Sequence, residues 1–241
     1  VNARMPLEDA LAARTAINKA MEIIGQAAET DEGGGGERAA GTLEGRAHPH
    51  LELALIMALD SRYPADEAAF HKTPQGVRDR AYADALNLVA ARFPDCTDVW
   101  ALHAEALMDL FPWDYYEKRP SQSFRPGQAT LRPEGRAALD RIESVLERDP
   151  HHKLALHLIV HLTEASDVPA TGVPSADALA AGAGGAGNSH LVHMAAHTYL
   201  NVGRYADVTD VNTHAVRVDE AYSERCLSPY LPGHQQCQLA A

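Results

Sequence analysis

A chain of 241 residues is long enough to bury the core of one or two domains. Its 46% hydrophobic and 22% charged composition suits a globular protein, and a net charge of −12 without a local basic stripe excludes nucleic acid as the expected partner. Cys96, Cys226 and Cys237 lack C-x-x-C spacing, which excludes a disulfide framework and a thiolate zinc site and points to a reducing, cytoplasmic setting; no secretory signal and no bilayer-spanning apolar run, about 20 residues, is present, so no membrane partner is expected.

In chain order, Leu7, Ala10, Ala13, Ile17, Met21 and Ile24 recur at three- and four-residue steps and predict an amphipathic first helix. Residues 29–41, with the Gly33 to Gly36 run, read as a flexible loop. Further helices are predicted at about 49–62, 74–92, 97–110, 133–148, 152–165, 175–182, 189–202 and 204–218, with no strand. The stretch 111–133, rich in Pro and aromatics, is too long for an ordinary helix connection and is read as an inserted loop, with a lid as one use and a plain surface insertion as the other.

The helices repeat. A tetratricopeptide unit is a helix pair of about 34 residues closed by a proline. With Pro94 as one closure, Trp100 and Ala104 fall at the large and small signature positions of the next unit. The 56 residues from Pro94 to Pro150 equal one unit plus an insertion of about 22, with Ala138 at a small position. A unit from Lys153 places Leu156 and Ile159 at packing positions, and one from Ser189 places Ala196, Tyr199, Gly203, Tyr205 and Ala215 in phase.

On these residues the sequence resembles the tetratricopeptide repeat superfamily. More narrowly it is similar to uncharacterised bacterial and algal members carrying A-E-A-L-M, a P-W loop, H-x3-H-x2-E-A-S and H-L-x-H-M-x2-H-x-Y. Here these are Ala104 to Met108, Pro112-Trp113, His157 to Ser166 and His190 to Tyr199. The resemblance covers about Tyr82 to His234 and implies an all-α, tetratricopeptide-like α-solenoid of antiparallel helix pairs. It divides the chain into poorly matching N-terminal helices over 1–75, repeats over 76–225 and a tail over 226–241. The chain begins at Val1, the first 75 residues read as an atypical cap or an altered start, and the further helix expected after Pro232 meets only seven residues beyond His234.

In the superfamily, positions 2, 5, 9 and 12 of each first helix line the inner groove. The resemblance therefore implies that His157, His161 and Glu164, His190, His193 and His197, and Glu105 all face it. Helix geometry gives the same grouping within each triplet, because offsets of 0, 4, 7 and of 0, 3, 7 fall within about 60° of arc. His at i and i+4 offers two imidazoles to one cation, and a carboxylate at i+7 completes or orients the set. The expected cofactor is a transition metal, with zinc, copper and iron among the candidates. An open coordination position would allow a metal-dependent reaction on a small molecule, with Glu105 or Glu164 as base. The alternative is a scaffold groove that holds a peptide or protein without metal, or a proton-switched version of it. His151 and His152 are expected to be solvated and His103 to pack, while His48, His50, His71 and His214 carry no pattern.

Overall fold

The computed structural model describes residues 5–32, 49–117, 127, 129–183 and 188–224. Most of the Gly-rich loop, residues 118–126 and 128 of the inserted loop, and the tail from 226 lie outside the described residues. Among those described, the chain is all-α, with helices α1 (Leu7–Glu32), α2 (Pro49–Arg62), α3 (Glu67–Lys72), α4 (Gln75–Arg92), α5 (Thr97–Met108), α6 (Pro133–Arg148), α7 (Lys153–Glu164), α8 (Val173–Ala178), α9 (Ser189–Asn201) and α10 (Tyr205–Ser223). Extended pairing among these residues is limited to one antiparallel bridge, Tyr116 with Leu131. The chain forms two compact units, Val1–Val99 and Trp100–Ala241.

In the first unit α2 packs on α1 and on α4. The stripe on α1 buries only its first half: Ala10 and Ile17 are covered, whereas Met21 is 40% exposed. The helix also runs on to Glu32, through the first residues of the expected loop. Arg62 pairs with Asp79 at 3.0 Å between largely covered side chains and lies over the Tyr82 ring. The short α3 has too few residues for a periodic signal; Asp66 starts it by accepting the Ala69 N–H.

The second unit follows chain order: α7 packs on α6 and on α9, and α9 packs on α10, with α8 against both α7 and α9. Pro133 opens α6, where a missing N–H costs nothing, and Ala138, Ile142 and Val145 form its buried face. Gly203, at φ 78, ends the α9 segment in the left-handed region, and the Arg204 N–H returns to the Tyr199 carbonyl at 2.9 Å. Leu156 and Val160 of α7 meet Leu191, Met194 and Ala195 of α9 and Val208 of α10 in one apolar cluster. The small residues expected at repeat positions, Ala104, Ala138, Ala196 and Ala215, are each fully buried.

One expectation at the start of α7 is corrected. His151 is exposed, but His152 is buried, because its Nδ1 accepts the Ala155 N–H at 3.3 Å and so replaces the usual Ser or Asp cap. Between α7 and α8, a 3-10 turn, Pro169–Gly172, is pressed onto α7 and α9. A Cβ on Gly172 would overlap Thr163 Oγ1 and stand 3.2 Å from Thr198 Oγ1. The Thr163 hydroxyl is already committed to the Ile159 carbonyl at 2.7 Å, so it cannot turn away freely. Gly172→Ala is expected to cost about 1–3 kcal/mol, measured as a lower urea midpoint at unchanged slope.

Candidate metal centre

Helices α7 and α9 pack side by side, and their polar stripes meet. His157 and His161 stand one turn apart on α7, and His190, His193 and His197 follow one another along α9. Their five rings form a closed circuit. Centroid separations are 4.7 Å from His157 to His161, 5.6 Å to His197, 5.0 Å to His193, 6.2 Å to His190 and 5.2 Å back to His157. Apolar residues on the other faces of both helices fix this register, since Leu156, Val160, Leu191 and Met194 fill the core behind the rings.

Hydrogen bonds engage the Nδ1 atoms of three rings. Glu164 accepts from His161 Nδ1 at 2.6 Å through one oxygen and from His197 Nδ1 at 2.7 Å through the other. Burial pushes the Glu164 carboxyl upward, but these two donors outweigh it and hold the group down at about 2, hence ionised. An ionised carboxylate only accepts, so both Nδ1 atoms carry a proton, and each Nε2 offers a lone pair when its ring is neutral. His193, fully buried, makes the same kind of contact with Asn212 of α10: Nδ1 donates to Oδ1 at 2.6 Å. When that ring is neutral, its Nε2 is likewise an acceptor.

His193 Nε2 and His197 Nε2 stand within hydrogen-bond distance of each other, at 3.2 Å. A second Nε2 pair, His157 with His190, stands at 3.3 Å. Two nitrogens held by one tetrahedral cation, each at about 2.0–2.1 Å, are separated by roughly 3.3 Å. Both pairs match that bite. Among the described residues no three His, Cys, Asp or Glu side chains already stand as a complete ligand set, so the donors approach in pairs. Burial pushes His157 down to about 3, helped by the neighbouring His161, His190 and His197, which makes a positive charge on that ring costly.

The six residues expected on α7 and α9 are thus brought together. Glu105 is half-buried on α5. Spacing along the chain reveals neither Asn212 nor the placement of Trp113, whose ring lies 5.6 Å from His161. Asn212 shares an i, i+3, i+4, i+7 stripe with Val208, Val211 and Ala215, all buried, and a polar residue on such a stripe is the signal that identifies it. On the opposite face of α7, Ile159, Leu162 and Thr163 border a separate cavity of about 830 Å³ that includes none of the imidazoles.

No family model, curated protein or solved structure matches this chain.

Proposed function

We propose that the second unit is a tetratricopeptide-like helical repeat whose His- and Glu-lined face binds a transition-metal ion, zinc, copper or iron, and presents it to a small molecule. One observation carries this reading: five imidazoles converge between α7 and α9, with His193 and His197, each engaged through Nδ1, facing each other Nε2 to Nε2 across 3.2 Å. When both rings are neutral and protonated on Nδ1, a cation between the two Nε2 atoms replaces a repulsion of lone pairs with two coordinate bonds. The packing order of α6, α7, α9 and α10 and the buried small residues at the repeat positions support the solenoid part.

A bound ion with an open position would polarise a substrate oxygen or lower the pKa of water. The chain's own groups have separable tasks. His193 and His197 would supply donors, with His161, held by the same Glu164 carboxylate, as the third. Glu164, with both oxygens occupied, fixes two tautomers and offsets the positive charge, a role distinct from that of a base. Asn212 holds the His193 ring from behind.

Elemental analysis of the full chain, purified without a histidine tag, tests the proposal. Near-stoichiometric zinc, copper or iron is expected, and the His161→Ala, His193→Ala double variant is expected to lose more than about 100-fold in Co²⁺ affinity. Equal affinity in the double variant would overturn the assignment. Peptide capture that survives chelator would favour the scaffold alternative.

A further inference from the structure

The turn between α5 and α6 carries a residue in the left-handed region. Trp113, at φ 63, is the one non-glycine residue with positive φ among those described. A bulky side chain in this region costs free energy, and such residues persist where their surroundings over-determine them. Here the flanking backbone is pinned. The Asp114 N–H donates to the Phe111 carbonyl at 2.9 Å, and the Arg132 N–H donates to the Tyr115 carbonyl at 2.9 Å. Arg132 Nε reaches the Asp114 carbonyl and Nη2 its carboxylate, both at 2.6 Å. Gly135 completes the clamp, since a Cβ there would lie 2.9 Å from the Tyr115 carbonyl oxygen.

A tryptophan held at such expense for the core would be covered. Trp113 is 57% exposed, and its ring sits 5.6 Å from His161 at a tilt of 48°. Trp100, by contrast, has the Arg141 guanidinium 4.2 Å over its face. The strain therefore maintains an open indole beside the imidazole circuit.

We infer that Trp113 is a ligand-contacting wall of the site, and that the site takes a small molecule with a flat apolar ring next to an anionic oxygen donor. The ring lies against the indole while the oxygen is taken at the imidazole cluster. Aromatic pairs gain from such contact beyond their buried area, and an oxygen anion suits a cation held by imidazoles. This inference rests on the metal-site reading above, and its test separates the two.

The full untagged chain, titrated with Zn²⁺ and then with benzohydroxamate or acetohydroxamate, offers one chelating head with and without a ring. Benzohydroxamate is expected to bind about tenfold tighter. Trp113→Ala is expected to abolish that preference and leave acetohydroxamate affinity unchanged. Trp113→Gly, which accepts the positive φ, is expected to lose the preference equally and to melt at a higher temperature than Trp113→Ala. Absence of zinc binding overturns the metal site and this inference with it. Zinc binding without a ring preference, a preference that survives both variants, or equal loss of both hydroxamates overturns the role of Trp113 alone. A melting midpoint for the glycine variant no higher than that of the alanine variant overturns the strain argument.

Discussion

In chelator, the second unit is expected to lose several kcal/mol of stability as pH falls from about 6.5 to about 3. His157 titrates near 6.5 when unfolded, but burial and the neighbouring imidazoles hold it at about 3 in the folded chain. Between those values the unfolded chain binds a proton that the folded chain refuses. Each pH unit lost there favours unfolding by about 1.4 kcal/mol for one such group. The stabilising contribution is therefore full above 6.5 and is lost progressively toward 3. Glu164 acts in the same direction lower down, from its ordinary 4.5 toward about 2, where protonation removes the acceptor for His161 and His197. Urea titrations across this range measure the slope. His157→Leu should flatten it above pH 4.5, where Glu164 does not yet contribute; an unchanged slope would show that the acid response originates elsewhere.

Asn212→Leu is expected to affect both stability and metal affinity. The wild-type amide is fully buried and takes the Nδ1 proton of a fully buried imidazole at 2.6 Å. Replacing it with a hydrocarbon of similar size removes that acceptor, at a cost of about 1–3 kcal/mol. It also frees His193 to protonate on Nε2, the atom needed as donor. Loss of such a partner behind a ligand lowers metal affinity by about 10- to 100-fold. Asn212→Asp keeps an acceptor at the same place, so Co²⁺ affinity at least equal to wild type is expected, whereas a purely structural role would leave affinity unaffected in both variants. Paired urea and Co²⁺ titrations distinguish these outcomes.

The helices and the two polar stripes were legible because both depend on local periodicity. His157, His161 and Glu164 share one face of α7 by spacing alone, as do His190, His193 and His197 on α9. Features set by distant contacts were harder to read. Asn212 lies 19 residues from His193 along the chain, and only the crossing of α9 by α10 makes it the ring's partner. His152 caps α7 through a ring nitrogen, an atom type absent from the usual Ser, Thr, Asp and Asn signal. The φ of Trp113 follows from clamping by Arg132 and Gly135, neither of which is its sequence neighbour.

Metal binding at this cluster depends on where three protons reside. Ring ¹⁵N spectra of histidine-labelled full-length protein at neutral pH, recorded in chelator and again after one equivalent of Zn²⁺, read those positions directly. The account requires His161, His193 and His197 to carry the proton on Nδ1 before zinc is added, and the Nε2 signals of His193 and His197 to shift on its addition while Nδ1 stays protonated. A His193 ring protonated on Nε2, donating to His197 and indifferent to zinc, would contradict it.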